Sequence, residues 1–122
     1  MTTFWLSGQL PGLNSVTAHN RANRYSGAKQ KRAVEQDLVL QIKAARFNPI
    51  DGLCDWRFTW HEPNRRRDPD NIYSACKFIF DALQYADKLP RDSWKYVGIT
   101  THECVVSADA GVLVEFERRD ER

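Results

Sequence analysis

The sequence predicts an α+β single domain in the order β-α-β-α-β-β, a small mixed sheet with two helices packed on it. Cys54, Trp56, Phe58 and Trp60 alternate with Asp55, Arg57, Thr59 and His61, the period-two pattern of a strand with one buried face. Val34, Leu38, Ile42 and Ala45 recur at helical spacing, and so do Ile72, Cys76, Ile79, Phe80 and Leu83. With 122 residues the chain can bury one core but hardly two, so residues 1–122 are expected to form one domain.

The elements follow in order. "TFWLSGQL" has strand character and is stopped by "PGLN", whose Pro, Gly and Asn favour a turn. A long irregular basic segment comes next, and Ser26 can cap a helix running to about Arg46. "NPIDG" breaks that helix before the strand "CDWRFTWHE", which runs directly towards "RRRDPDN". From Asn71 to about Tyr85 the spacing predicts one largely buried helix, with Asp70 at its N-cap and a narrow polar stripe of Ser74, Lys77 and Asp81. After the loop "DKLPRDSW", the segments "KYVGITTHECVV" and "VLVEFERR" are expected to form a hairpin around "SADAG".

Composition excludes several classes. A hydrophobic content of 42% with 28% charged residues is ordinary for a globular domain. No apolar run approaches the roughly 18 residues of a membrane span, so no membrane partner is expected. "MTTFWLSGQL" has neither a basic leader nor a cleavage site, which points to the cytoplasm. Cys54, Cys76 and Cys104 are odd in number and far apart, as reduced, packed thiols would be. His19, His61 and His102 share no metal-ligand spacing, and Trp5, Trp56, Trp60 and Trp94 are expected in the core or an interface.

Charge is unevenly placed. No Asp or Glu precedes Glu35, whereas Arg21, Arg24, Lys29, Lys31 and Arg32 crowd that stretch, and residues 103–122 carry six acids against three bases. A basic arm of this kind, extended by Arg65, Arg66 and Arg67, suits a polyanion such as DNA, because neutralised phosphates release counterions.

"RRRDPDN" concentrates the chemistry. Pro69 fixes one backbone dihedral between Asp68 and Asp70 and pushes Asp68 towards extended geometry, so the two carboxylates can face one point and offer oxygen to a hard cation such as Mg²⁺. The alternative is structural: Asp70 caps the helix, worth about 1 kcal/mol, and Asp68 pairs with an arginine. An EF-hand is excluded, since Ile72 and Ser74 do not continue its pattern and no glutamate stands at its twelfth position.

The longer stretch "RRRDPDNIYSACKFIFDALQYADKLPRDSWKYV" resembles the RusA family of Holliday-junction resolvases, often prophage-associated, as does the "LPGLN" turn. The family carries an arginine-rich turn, D-x-D-N, a helix with a lysine and then "DAL", and a further aspartate in the next loop. The resemblance implies that Asp68, Asp70 and Asp92 are catalytic and bind Mg²⁺ and that Lys77 is the active-site lysine, and Asp81, four residues after Lys77, and Asn71 are expected to support them. Two departures stand out. Lys77 lies about one helical turn further from Asp70 than in the best-known members, where Ser74 would take its place, and Arg91 stands where some members have an acid.

Phosphodiester hydrolysis needs an activated water and stabilisation of developing charge, which metal ions and an oriented lysine can supply. Arg65, Arg66 and Arg67 are then free to hold flanking phosphates. The expected function is a Mg²⁺-dependent endonuclease resolving four-way DNA junctions, with a non-catalytic nucleic-acid-binding module as the alternative. Two symmetric nicks imply a homodimer.

Overall fold

β2 (Cys54–Glu62) is the strand around which the domain is organised, because its inward side chains, Cys54, Trp56, Phe58 and Trp60, are all buried and need neighbours on both edges. The structure, a computed structural model, describes residues 1–12 and 24–119. In chain order the other elements are β1 (Thr2–Ser7), α1 (Arg24–Ala45), α2 (Pro69–Tyr73), α3 (Cys76–Tyr85), β3 (Val97–Val106) and β4 (Gly111–Arg118). The sheet is mixed, with strand order β1-β4-β2-β3. β4 runs antiparallel to both β1 and β2, whereas β3 runs parallel to β2. The α+β class expected from sequence is therefore the observed one.

The core lies between one face of the sheet and the helices. Phe4 and Leu6 from β1 and Val112, Val114 and Phe116 from β4 extend the buried face of β2. Leu38 and Ile42 of α1 and Ile79 and Leu83 of α3 close over it, each fully buried. Trp56 stacks on Phe116 with centroids 4.7 Å apart, and Phe80 meets its edge at 5.2 Å. Such aromatic pairs add about 0.5–1.5 kcal/mol each beyond the area they bury.

Four sequence expectations change. β3 and β4 do not form a hairpin, since β2 lies between them. Their link, residues 107–110, steps across the end of β2, a distance of about 10 Å at the usual strand spacing, and Ser107 N–H donates to Glu62 O on the way. β2 takes the central place because β4 offers an alternating apolar face to pack beside it, while β3 is half-exposed. The helix expected over residues 71–85 is broken at Ser74 and Ala75, where Ser74 Oγ donates to Asn71 O at 2.7 Å and Ala75 N–H reaches back only to Ile72 O. Ser26 lies inside α1 and is not its cap, and Ala45 is exposed at its end, where Arg46 turns to φ 57°. No described helix is long and apolar enough to cross a membrane.

Candidate nucleic-acid and metal site at the end of β2

The alternation that buries Trp56, Phe58 and Trp60 carries on to Glu62, which is only 5% exposed. A buried carboxylate needs a partner, and the chain supplies one five residues later. Arg67 donates from Nε to Glu62 Oε1 and from Nη2 to Oε2, both at 2.9 Å. Its Nη1 donates to Leu10 O at 2.8 Å, and Gln9 Nε2 donates to Glu62 Oε1 at 3.1 Å. This network ties the N-terminal turn to the start of α2. Gly12 completes it, because a Cβ there would stand 2.5 Å from Asn71 Oδ1.

Arg67 is thus a correction to the sequence reading: its fork is used inside the protein and is not free for phosphate. Arg65 and Arg66 are exposed, and neither forms an ion pair among the described residues. Among the described residues, the segment between β2 and α2 therefore presents two cations without an ion pair and sequesters the third.

Asp68, and not Asp70, occupies the N-cap of α2, because the helix begins at Pro69. Its backbone is extended, at φ −69° and ψ 147°, as a following proline requires. The main-chain carbonyls of Asp68 and Asp70 accept N–H groups from Ile72 and Ser74, but the Asp68 carboxylate makes no capping bond. Both side chains are exposed and unpaired among the described residues. The structural alternative of a capping Asp70 and an arginine-paired Asp68 is not what the fold shows.

Asp92 lies exposed in the loop before β3. Burial, and after it the Asp92 charge, push the Cys76 thiol above its ordinary pKa. Among the described residues, no three of His, Cys, Asp and Glu are gathered as a metal-holding group. Lys77, in the first turn of α3, is largely exposed and lies 3.4 Å from Asp81 Oδ1. Because the helix breaks before it, Lys77 shares a continuous helical stripe with Asp81 but not with Asp70.

The described basic side chains near the start of α1 lie elsewhere. Lys31 pairs with Glu35 at 3.8 Å, Lys29 is exposed, and Arg32 borders a groove with Leu40 and Tyr85. Arg21 and the Arg24 side chain lie outside the described residues. Trp56 and Trp60 are buried as expected and Trp5 is partly exposed, but Trp94 is 95% exposed and belongs to no core.

Sequence reasoning passed over two residues. Glu62 could have been found as the charge that continues a buried alternation. His102 carried no sequence signal, yet its Nδ1 accepts from Trp60 Nε1 at 3.0 Å and its ring stacks on Tyr73 at 4.6 Å, one turn after Asp70. Burial holds the His102 pKa below the ordinary value, so the imidazole is the neutral form that this bond requires. Between α2 and β3 lies a groove of about 610 Å³ bordered by Arg65, Asp68, Ile72, Cys104 and Val106.

Fold and site together define a small α+β domain that, among the described residues, presents unpaired carboxylates and arginines at one end of its sheet. No protein-family model matches the chain, and no curated protein matches it.

Proposed function

We propose that the protein is a cytoplasmic, Mg²⁺-dependent, structure-selective endonuclease that cuts four-way DNA junctions as a homodimer. The observation that carries this reading is the state of Asp68 and Asp70: exposed and unpaired among the described residues, with no side-chain capping bond from Asp68, beside Arg65 and Arg66, which are equally unpaired among those residues. Carboxylates left unused by the fold while arginines stand within the same segment are suited to a ligand that brings both a cation and a phosphate. The choice of four-way junctions rests on the resemblance of residues 65–97 to the resolvase family.

Asp68 and Asp70 fit a hard cation that takes one or two carboxylates and completes its shell with water and substrate phosphate. When bound, Mg²⁺ supplies positive charge at the scissile phosphate and a more acidic water. Asp92, in the loop before β3, is the third carboxylate that the resemblance assigns to the metal. Arg65 and Arg66 hold flanking phosphates, and Lys77 offsets negative charge that develops in the transition state.

A second reading, a nucleic-acid-binding module without catalysis, is favoured by the absence of a preassembled three-carboxylate group among the described residues. Incubating the protein with a labelled four-way junction or a matched linear duplex, in Mg²⁺ or in chelator, separates the two. Mg²⁺-dependent cutting confined to the junction supports the endonuclease. Tight junction binding without a cut establishes the binding module.

A further inference from the structure

Trp94 is 95% exposed, more than any other large apolar side chain described. The loop that carries it is nonetheless held at both ends. Ser93 O accepts the N–H groups of Tyr96 at 3.0 Å and Val97 at 2.9 Å, and Ser93 N–H donates to Arg91 O at 3.0 Å. Residues 93–96 therefore close a hydrogen-bonded turn, with Trp94 and Lys95 as its two central residues. Tyr96 O in turn accepts from Cys54 N–H at 3.0 Å, which ties the turn to the start of β2. The fold thus presents the indole at the tip of a braced turn.

The side chains beside it in the sequence indicate what the ring would meet. Arg91, Asp92, Ser93 and Lys95 are all polar, so its own loop lacks the apolar surround of an aromatic anchor at a protein interface. Arg91 and Lys95 are exposed, and Lys95 Nζ stands 5.5 Å from the Tyr96 ring. An aromatic face with cations to either side matches a nucleotide, whose base takes the ring and whose flanking phosphates take the charges.

We propose that Trp94 stacks on an unpaired base of bound DNA and thereby sets a preference for branched or single-stranded DNA over continuous duplex, an inference that rests on the nucleic-acid reading. Within a continuous duplex each base is covered on both faces by its neighbours, so the ring finds no free face. A crossover or a single strand offers one. Phosphates are present in every form of DNA and position a protein without distinguishing these forms, so Arg65, Arg66 and Lys95 do not supply this preference. The stacking ring and Asp92 share one loop, two residues apart.

Equilibrium binding in chelator tests this with labelled probes: a four-way junction, an oligothymidylate and a matched linear duplex. Trp94→Ala is expected to raise the dissociation constant for the junction and the oligothymidylate about tenfold, the scale of one lost base–aromatic stack, and to leave that for the duplex within about twofold. Trp94→Leu, which keeps apolar area but no ring face, should behave like alanine, whereas Trp94→Phe should retain most of the binding. Because the ring belongs to no core, all these variants should melt where the wild type does. Intrinsic fluorescence is an independent readout. Trp56 and Trp60 are 2% exposed and Trp5 38%, so the quenching that oligothymidylate causes in the wild type should largely vanish in Trp94→Phe. Junction binding indifferent to Trp94→Ala and Trp94→Leu overturns the proposal and spares the nucleic-acid reading. An equal loss on junction and duplex also overturns it, because a stack on an unpaired base does not weaken duplex binding. A wild-type chain that binds none of the probes sinks both.

Discussion

Arg67 grips Glu62 at two points, Nε to Oε1 and Nη2 to Oε2 at 2.9 Å each, and leaves its sequence neighbour Asp68 without a partner among the described residues. The anion that matters to this arginine is the buried one at the end of β2, because an uncompensated charge in the core costs far more than one in water. The three arginines therefore divide: one holds the turn in place, and two remain available for a ligand.

Arg67→Ala strands the Glu62 carboxylate in the core, and is expected to lower folding stability by about 3 kcal/mol. Urea denaturation measures this, and Arg67→Met combined with Glu62→Leu should cost less than either single change.

Arg65→Ala and Arg66→Ala should leave stability within about 0.5 kcal/mol. Each should also weaken DNA binding and reduce the salt slope by about 0.9. Fluorescence-anisotropy titrations at several salt concentrations check the slope, and an unchanged slope would detach these residues from DNA.

Asp70→Asn should abolish Mg²⁺-dependent cleavage, while junction binding in chelator stays equal or tightens, because one repelling charge leaves the phosphate path. Since the Asp70 side chain has no partner among the described residues, the variant's melting temperature should barely move. Retained cutting by folded Asp70→Asn protein would remove Asp70 from the site.

Lys77→Met breaks the exposed pair with Asp81, a loss of a few tenths of a kcal/mol. A lysine used on the transition state predicts instead a fall in cleavage rate on the order of a hundredfold. Single-turnover rates at saturating protein show which role holds, and Asp81→Asn should have the milder effect.

His102 predicts a pH dependence. Burial sets its folded pKa below the ordinary ~6.5, so as pH falls below about 6.5 the unfolded chain takes up a proton that the folded chain resists. The groups around the ring are Trp60, which donates to Nδ1, and the stacked Phe58 and Tyr73. Stability should therefore be full above that pH, decline below it, and level off once the folded imidazole is protonated as well. Melting curves from pH 7.5 to 5 should show this step, and His102→Gln should remove it.

The sequence by itself determined the α+β class, because periodicity follows from which face of each element must leave water: β2 and α3 are legible in Trp56, Phe58, Ile79 and Leu83 alone. It also marked Asp68, Asp70, Lys77, Arg65 and Arg66 as one chemical cluster, because they are near in sequence. Tertiary structure decided what depends on neighbours far along the chain. Only packing shows that β2 separates β3 from β4, since strand order depends on which apolar faces match and not on turn residues between them. The apolar spacing of Ile72, Cys76, Ile79 and Leu83 continues from α2 into α3, so nothing in it marked the break at Ser74, which arises when a hydroxyl competes for a main-chain carbonyl. The partner of Arg67 was decided by burial: from sequence Asp68 is adjacent, but Glu62 is the carboxylate that the core cannot leave unpaired.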